Sequence, residues 1–515
     1  MTSPGSPIAL FETFEAHARA TPGRILISMV DGSLAMNAAA LLARARSTER
    51  LLAREGVSRG DLVLLSGLAF LPFTVAQLAV WARGAASVSA DAQLSAPEVE
   101  EIQRAFQPRA MMSPGPGLEP RVATDPSGDL RRGSHSSAGI DLMSSVSLPE
   151  GTAVIKVTSG STGSPRGIAA TAGQLLADAR HIAAGMHITS DDVCIAAISL
   201  SHSYGMANVL LQLVVQGSPM LIVPAPLPEP LAEALGLDEP AVFAGVPYLF
   251  EMMARPGSPP VNRRGLKCCI SAAAPLRPAV AAAFRQKTGL PVRAFYGTSE
   301  TGGITFDNSA EGDAASRFEG CVGSPLPGAR VTLEPEEGTE EGCDEGRVVV
   351  SGEAVSAGYV GAVSGSATAQ GEFRGGAFRT GDTGQFDQRG MLHLTGRIST
   401  LVNVSGRKVN PAEIERCLAR LPMVGDAAVL GVSDGVRGES LVVFVSGSAG
   451  LTRERVVAHL KNGLAAYKIP RRVIFMKELP RNLRGKLDHE TLRRLAADAG
   501  TEDSTRGSME GFKDA

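Results

Sequence analysis

Apolar and polar residues are arranged along the first eighty positions so that helix and strand patterns follow each other. In residues 39–55 apolar side chains recur every three or four positions, which predicts an amphipathic helix that ends at Gly56. A polar turn then leads into residues 62–65, a short apolar run that predicts a strand. Helix, turn and strand in this order are typical of a wound α/β layer.

Residues 62–82 carry no charged side chain and are long enough to cross a bilayer. The interruptions at Ser66, Gly67 and Pro72 instead favour a strand, a turn and a buried helix that ends near Ala82. The start of the chain also lacks the basic and apolar segments of a secretory signal. We therefore expect neither a membrane span nor a secretory signal.

The rhythm of strands and helices resumes after a polar interval. Residues 114–147 are rich in Gly, Pro, Ser and charge, which predicts a surface loop or a flexible link. Strand and helix patterns then alternate to about residue 310. The predicted strands are 152–157, 220–223, 267–271 and 292–296, and the predicted helix is 278–288.

The last third of the chain changes character. Strand patterns separated by Gly-rich turns predict a β-rich subdomain at residues 331–333, 346–351 and 391–394. A compact α+β section follows, with predicted helices at 411–421 and 452–465 and predicted strands at 424–432, 440–446 and 472–476. The predicted fold class is α/β. A large N-terminal domain of wound α/β layers with a β-rich subdomain covers residues 1–397, a small mobile α+β lid domain covers 398–500, and 501–515 form a disordered tail.

Composition and charge narrow the function classes. Hydrophobic residues make up 44% of the 515 residues, enough for a sizeable core. The net charge of -3 points to neither nucleic acid nor an anionic membrane. The six cysteines form no CxxC pair, which favours reduced thiols and a cytoplasmic protein, and the eight histidines show no metal-ligand spacing.

The first candidate site is a Ser/Gly-rich loop, residues 158–167, directly after a predicted strand. Glycines allow close approach to a ligand, and hydroxyls and backbone N–H groups can surround phosphate oxygens. The Walker spacing GxxxxGK[ST] is absent, and a flexible linker is the alternative interpretation. The candidate nucleotide-binding residues are Thr158, Ser159, Gly160, Ser161, Thr162, Gly163 and the positively charged Arg166.

This loop resembles the signature loop of the adenylate-forming superfamily, which contains acyl-CoA synthetases, the adenylation domains of peptide synthetases, and luciferases. Further motifs of that superfamily follow in the family's order, so that the resemblance covers roughly residues 10–495. It implies an enzyme that uses ATP and Mg²⁺ to convert a carboxylic acid into an acyl-adenylate. The acyl group is then passed to a thiol.

The second motif resembles the family's YGxTE, with Ser299 in place of the second Thr. Tyr296 offers a flat face for adenine, and Gly297 and Thr298 lie where backbone and hydroxyl can reach the α-phosphate. Glu300 supplies a hard oxygen ligand suited to Mg²⁺, and we also count it as catalytic. A buried Tyr and a surface Glu on a turn are the alternative.

Later motifs complete the resemblance. Asp382 resembles the RTGD aspartate that accepts hydrogen bonds from the ribose hydroxyls, and Arg397 resembles an arginine that contacts ribose and phosphate. Residues 405–415 match GxxxxPxEIE. In the family this glycine loop flanks the pantetheine tunnel, which assigns Gly406 and Arg407 to the CoA tunnel.

Lys486 lies in a segment that resembles the family's PxxxxGK motif. The family's lysine there is the main catalytic side chain of adenylation, where it stabilises developing charge. In isolation this residue would be an ordinary surface lysine. In the family the small domain rotates between two half-reactions, so we expect Lys486 to act in the first and the Gly406 loop in the second.

Three departures from the family pattern stand out. Arg166 replaces the lysine of PKG, which keeps the charge but changes its geometry. Ser399, assigned as the hinge, and Thr400 replace residues that are usually charged. Residues 271–276 are expected to form a strand behind the adenine, where Ala273 contacts the nucleotide and the added methyl groups narrow the acyl pocket.

The acid can be bounded from the segment 200–206, which offers no carboxylate to pair with an α-ammonium group. His202 resembles the aromatic or His residue between the acyl pocket and the thiol tunnel of acyl- and aryl-CoA ligases, and we assign it as catalytic; a structural histidine is the alternative. The expected acyl pocket favours a fatty or aromatic acid and consists of His202, Met206, Val246, Ala273, Gly302 and Ile304.

The leading hypothesis is an AMP-forming acid–CoA ligase that requires ATP, Mg²⁺ and coenzyme A. A second hypothesis keeps the chemistry but transfers the acyl group to a free-standing acyl carrier protein. A third is a nucleotide-binding protein that has lost catalysis, given the departures at Arg166, Ser399 and Thr400. We expect a monomer or a homodimer that binds no nucleic acid.

Overall fold

The computed structural model describes residues 5–115, 120–123, 148–159, 165–262, 264–309, 320–335, 345–361, 372–398, 402–404, 407–409, 411–434, 438–464, 468–481 and 487–498. The chain divides into two compact units. The first comprises Met1–Thr332, Val349–Arg379 and Asp387–His393; the second comprises Leu333–Val348, Thr380–Phe386 and Leu394–Ala515. The predicted limit at 397/398 stays a prediction, and the predicted tail 501–515 lies outside the described residues.

Helices and strands alternate through the described residues up to Arg397. The helices are α1 (Ile8–Ala20), α2 (Ala38–Arg54), α3 (Phe70–Ala82), α4 (Ala96–Phe106), α5 (Ala172–Met186), α6 (Ser203–Gly205), α7 (Leu211–Val215), α8 (Pro228–Leu235), α9 (Pro247–Ala254) and α10 (Pro278–Thr288). The strands up to the second candidate motif are β1 (Ile25–Met29), β2 (Ala35–Asn37), β3 (Leu62–Ser66), β4 (Ala86–Ala90), β5 (Ala110–Pro114), β6 (Pro120–Ala123), β7 (Thr152–Ser159), β8 (Pro165–Thr171), β9 (Val193–Ala196), β10 (Met220–Ile222), β11 (Ala241–Gly245), β12 (Leu266–Ser271), β13 (Val292–Thr298) and β14 (Gly302–Phe306). The later strands are β15 (Cys321–Pro325), β16 (Ala329–Glu334), β17 (Gly346–Gly352), β18 (Gly358–Val360), β19 (Phe373–Arg374), β20 (Ala377–Phe386) and β21 (Leu392–Arg397).

The first unit is built on two sheets. One follows the order β2-β1-β10-β9-β11-β12-β13-β14-β15, and its neighbours from β1 to β13 run parallel. The other follows β18-β8-β7-β4-β3-β5-β6. Parallel neighbours need crossover connections, which the intervening helices supply. The predicted α/β class is therefore confirmed.

Helix α3 explains the uncharged stretch at residues 62–82. It is buried on nearly every face, and the Trp81 indole is fully enclosed and donates its Nε1–H to the Ala153 carbonyl at 3.3 Å. A helix that is apolar all round belongs in a protein core or in a membrane. Within the described part of the chain, no helix combines the length and the apolar character that crossing a membrane requires.

Most predicted elements match the structure within a few residues, and the predicted loop 114–147 is partly wrong. Strand β6 lies inside it and pairs antiparallel with β5, bringing Met112 opposite Val122. The short run at 120–123 was hidden by its polar, Pro-rich neighbours. Residues 116–119 and 124–147 lie outside the described residues.

The second unit contains a smaller sheet with helices. Its remaining elements are β22 (Val402–Val404), β23 (Arg407–Val409), α11 (Pro411–Ala419), β24 (Val424–Asp434), β25 (Gly438–Gly447), α12 (Arg453–Gly463), β26 (Arg472–Phe475) and α13 (His489–Asp498). The sheet order is β23-β22-β25-β24, with β26 beside β25. Ile414 and Leu418 of α11 and Leu460 of α12 are fully buried in its core. An α+β unit therefore forms where the sequence predicts one.

Candidate active site

The Ser/Gly-rich loop connects β7 and β8, which form an antiparallel hairpin. Thr158 lies opposite Arg166, and Ser159 lies opposite Pro165. Thr158 and Arg166 are half-buried, so both flank the loop from the ends of its strands. The predicted phosphate ligands within the loop, Gly160, Ser161, Thr162 and Gly163, lie outside the described residues.

Arg166 is linked to Glu300 through a tyrosine that the sequence analysis missed. The Arg166 guanidinium lies over the Tyr359 ring, 5.3 Å from its centroid. The Tyr359 hydroxyl shares its single proton between Glu372 Oε2, at 2.7 Å, and Glu300 Oε1, at 3.2 Å. Burial raises the pKa of Tyr359, and the two carboxylates raise it further, so the hydroxyl keeps its proton. Two separate motifs thus meet at one side chain.

Tyr359 comes within reach because β18 pairs antiparallel with β8, next to the loop. Its ring also packs edge-on against Phe373, with centroids 5.3 Å apart. In the sequence Tyr359 stands alone between Gly358 and Val360, without any spacing that suggests chemistry. Only the sheet pairing reveals its role.

The second motif forms the tight connection between β13 and β14. We call residues 299–303 the Glu300 turn. The Thr298 and Thr301 hydroxyls are 3.1 Å apart, and a Cβ added at Gly297 would lie 2.5 Å from the Gly302 carbonyl oxygen, so glycine fits there closely. Glu300 is half-buried, whereas Tyr296, predicted to stack on adenine, is only 9% exposed.

Two buried charged residues hold the Glu300 turn, and the sequence analysis missed both. Lys156 of β7 donates from Nζ to the Ser299 carbonyl at 3.2 Å. Asp178 of α5 accepts from the Gly303 N–H through Oδ1 at 2.9 Å. A lysine within the apolar run of β7 was the available signal.

Burial sets the protonation tendencies of this pair. It lowers the pKa of Lys156, although the Asp178 and Glu300 carboxylates act in the opposite direction. It raises the pKa of Asp178, against the opposing effects of Lys156, the Gly303 amide and His181. Each charge therefore offsets part of the cost of burying the other.

His202 lies at the start of α6 and pairs with Asp91. Its Nε2 is 3.4 Å from Asp91 Oδ2, and the histidine side chain is 42% exposed. Asp91 Oδ2 also accepts from the hydroxyls of Ser199 at 2.6 Å and Ser201 at 2.8 Å. Although burial acts to raise it, the pKa of Asp91 is lowered by these hydroxyls, the Gln93 amide and His202. The imidazole thus lies beside a half-buried carboxylate that three further donors hold in place.

The predicted acyl-pocket residues lie in several elements. Met206 begins a π-helical turn, Met206–Leu210, and is buried, as is Ile304 in β14; Val246 is half-buried just before α9. Such π-helical turns often occur at functional sites. That these residues line one pocket stays a prediction.

The expected strand at residues 271–276 is wrong, because β12 ends at Ser271 and the chain then bends. Ala273 is exposed and has φ of 69°, in the left-handed region that residues other than Gly rarely adopt. Proline and alanine after an apolar run gave no warning of this bend. The prediction that a strand at 271–276 narrows the acyl pocket is therefore wrong.

Asp382 and Arg397 form an ion pair in the second unit. Arg397 Nε donates to Asp382 Oδ1 at 2.6 Å. The Asp382 side chain is nearly buried, whereas that of Arg397 is 67% exposed. Asp382 lies in β20 and Arg397 ends β21. The two residues assigned to the ribose are therefore in contact with each other.

Several assigned residues cannot be placed. Lys486, Gly406 and the hinge residue Ser399, together with Thr400, lie outside the described residues. Arg407 begins β23, which pairs antiparallel with β22 and brings Val404 opposite Arg407.

The carboxylate of Glu300 fits a divalent cation that takes its other ligands from the phosphates of a nucleotide. In the parts of the chain that the structure describes, no group of three or more His, Cys, Asp and Glu side chains is placed to hold a metal. Glu300 accepts from an uncharged hydroxyl, which leaves lone pairs for a hard cation. Mg²⁺ commonly binds through one or two carboxylates and substrate phosphates, so one glutamate suffices.

Comparisons with known proteins show the family to which the chain belongs. The AMP-binding enzyme family model matches residues 14–360, and the model of the AMP-binding enzyme C-terminal domain matches 413–486. A 2-succinylbenzoate–CoA ligase from Bacillus cereus is 31% identical over 350 residues, which cover 68% of this chain and 71% of that protein. A long-chain-fatty-acid–CoA ligase from Bacillus subtilis is 28% identical over 357 residues, 68% of this chain and 62% of that one.

Among solved structures, ATP-bound MatB from Rhodopseudomonas palustris superposes with a TM-score of 0.80 at 25% identity. The match covers 96% of this chain and 99% of MatB. The two family models therefore match successive parts of the chain, and the first of them spans the Ser/Gly-rich loop, the Glu300 turn and Tyr359. The chain belongs to the AMP-binding enzyme family.

Proposed function

We propose that this protein is an AMP-forming acid–CoA ligase, which activates a carboxylic acid with ATP and Mg²⁺ and transfers the acyl group to coenzyme A. The observation that carries the proposal is the contact chain Arg166–Tyr359–Glu300, which joins the phosphate loop to the carboxylate suited to Mg²⁺. Membership of the family and the ligase names of the relatives support the same reaction.

The chemistry proceeds in two half-reactions. A carboxylate oxygen of the acid attacks the α-phosphorus of ATP, and pyrophosphate leaves. The CoA thiol then attacks the acyl carbonyl, loses its proton, and AMP leaves. The protein contributes mainly by positioning the reactants and by stabilising charge.

Each assigned residue has a defined task in this reaction. Glu300 would hold Mg²⁺, which neutralises phosphate charge when bound. Asp382 accepts hydrogen bonds from ribose hydroxyls, and Lys486 stabilises the charge that develops during adenylation. His202, oriented by Asp91 at 3.4 Å, stands between the acyl group and the thiol.

The acid has a largely apolar body. Met206 and Ile304 are buried and Val246 is half-buried, and residues 200–206 contain no carboxylate to pair with an α-ammonium group. The named relatives act on 2-succinylbenzoate and on long-chain fatty acids. We therefore propose a fatty or aromatic acid as the substrate class.

The test is a panel of carboxylic acids incubated with ATP and Mg²⁺, with and without CoA. We expect pyrophosphate release with fatty or aromatic acids and CoA thioester formation with the same acids. Pyrophosphate release without any consumption of CoA would replace CoA by a carrier protein as the acceptor. No acid-dependent pyrophosphate release would contradict the proposed function.

A variant separates the two half-reactions. Gly406→Leu should leave pyrophosphate release intact and sharply reduce thioester formation, because a side chain there would fill a narrow thiol tunnel. Gly23→Leu is the matched control, since a Cβ at Gly23 meets nothing within 4 Å. Equal loss of both activities in Gly406→Leu would remove that residue from the tunnel.

A further inference from the structure

The Glu300 turn is held at both ends by charged side chains that belong to none of the recognised motifs. At its start, the Lys156 ammonium donates to the Ser299 carbonyl at 3.2 Å. At its end, Asp178 accepts the Gly303 N–H at 2.9 Å. The turn that carries Glu300 is thus clamped between a cation from β7 and an anion from α5.

The clamp is buried, and burial of charge is costly. Lys156 is 8% exposed and Asp178 is 2% exposed. Burying a charged side chain costs free energy that its partners offset only in part, so apolar residues of similar volume often stabilise a fold as well. A contribution to the stability of the fold therefore explains these two residues poorly. A role in holding the Glu300 turn in one geometry explains them better.

The Asp178 carboxylate packs tightly against the backbone of the Glu300 turn. Gly302 has φ of +69°, and a Cβ added there would lie 2.5 Å from the Asp178 carboxylate. The carboxylate therefore occupies the space that a side chain at this position would need. Backbone at such close quarters moves only if the charged group moves with it.

Lys156 also couples two motifs. It lies in β7, two residues before Thr158, where the phosphate loop begins. Its hydrogen bond to Ser299 therefore ties the strand that leads into that loop to the turn that carries Glu300. The Glu300 carboxylate in turn favours the charged form of Lys156, against the effect of burial on its pKa.

We propose that Lys156 and Asp178 are positioning residues for acid activation, and that they fix the turn backbone beside β7 and α5 so that the Glu300 carboxylate is placed for a nucleotide-bound divalent cation. This inference rests on the proposed function. Both residues act through the turn backbone rather than on the reacting atoms. Partners that orient a metal ligand commonly contribute about 10–100-fold to metal affinity or activity.

The test uses Lys156→Met and Asp178→Asn in the full chain. Lys156→Met keeps most of the length of the side chain and removes its charge, while Asp178→Asn keeps an acceptor for the Gly303 N–H. We expect the free Mg²⁺ concentration for half-maximal ATP binding, measured by calorimetry, to rise about 10–100-fold in Lys156→Met and less in Asp178→Asn. The KM for the carboxylic acid should stay unchanged.

Lys267→Met is the matched control. Lys267 Nζ lies 2.7 Å from Asp192, whose side chain is 1% exposed, so this variant also strips the cation from a buried aspartate. It should lower the thermal stability without changing the Mg²⁺ requirement for ATP binding. A similar rise in the Mg²⁺ requirement of Lys267→Met would show that removing any cation beside a buried aspartate has this effect. That result would overturn the proposal.

The double variant Lys156→Met/Asp178→Asn guards against misfolding. It leaves no charge at either position, so it should melt higher than Lys156→Met alone yet keep the raised Mg²⁺ requirement. Recovery of the wild-type Mg²⁺ requirement together with stability would overturn the positioning role. Wild-type protein that binds no MgATP would overturn the proposed function as well, whereas normal wild-type binding with unchanged variants overturns this inference alone.

Discussion

The two carboxylates assigned to the nucleotide are held in different ways. Glu300 accepts from the uncharged Tyr359 hydroxyl at 3.2 Å. Asp382 accepts from the Arg397 guanidinium at 2.6 Å and is nearly buried. The hydrogen-bond donor to the first carboxylate is thus an uncharged hydroxyl, whereas a guanidinium cation donates directly to the second.

This difference fits two different ligands. A divalent cation needs an ionised carboxylate, and a hydroxyl donor orients such a group without competing as a cation. Ribose hydroxyls need acceptor oxygens, which a carboxylate keeps when an arginine holds one of its oxygens. The contacts around Glu300 therefore favour a metal, and those around Asp382 favour neutral hydroxyls.

The largest effect is expected at Lys486, and the effects of changing the two carboxylates should be smaller. Lys486→Ala should lower the rate of adenylation by roughly two to three orders of magnitude, because it removes a charge that stabilises the transition state. Pyrophosphate release measures this step. Thiolysis of a supplied acyl-adenylate should be affected less, and an equal loss in both assays would rule out separate roles in the two half-reactions.

The metal side of the comparison is tested by Glu300→Gln. Loss of the anionic ligand should raise the Mg²⁺ requirement of adenylation by about 10–100-fold. Glu372→Gln is the matched control, since it removes the other carboxylate that accepts from Tyr359, at 2.7 Å. A Mg²⁺ titration identical to that of the wild type would remove Glu300 from the metal site, and equal shifts in both variants would make the two glutamates joint ligands.

The ribose side is tested by Asp382→Asn. This variant loses the charge and one strong acceptor, so the KM for ATP should rise about tenfold while the acid preference and the Mg²⁺ requirement stay unchanged. Steady-state kinetics at several acids measures both. Asp387→Asn, in the turn between β20 and β21, serves as the control. A shift in acid selectivity in Asp382→Asn would place this residue at the acyl group.

Sequence alone predicts much of this fold, because the elements follow strong local patterns. The helix at 278–288 and the strands of the first unit follow from apolar runs and clear turn signals. The candidate motifs occur in the order that the family shows. The Ala273 bend was missed because a left-handed alanine, with φ of 69°, contradicts the propensity of its residue type.

The support around Glu300 could not be predicted for a different reason. Lys156, Asp178 and Tyr359 lie 144, 122 and 59 positions away from it along the chain, and their contacts depend on how β7, α5 and β18 are arranged. No local pattern encodes such contacts. Motifs thus predict the groups that contact a ligand, whereas the residues that support those groups emerge only from the folded structure.

The smallest effect is expected at Tyr359, and it is the finest test of the comparison. Tyr359→Phe keeps the ring beneath Arg166 and against Phe373 but removes the hydroxyl that orients Glu300. Loss of one neutral donor should raise the Mg²⁺ requirement by about two- to tenfold and leave the KM for the acid unchanged.

Tyr248→Phe is the control for Tyr359→Phe, because Tyr248 is 52% exposed. Combining Tyr359→Phe with Glu300→Gln should add little to the effect of Glu300→Gln alone, since the hydroxyl acts on the metal through that carboxylate. The Mg²⁺ titration of the three variants measures this coupling. Fully additive effects would mean that Tyr359 acts on the nucleotide by another route, and the contrast between an oriented metal ligand and a paired ribose acceptor would then not hold.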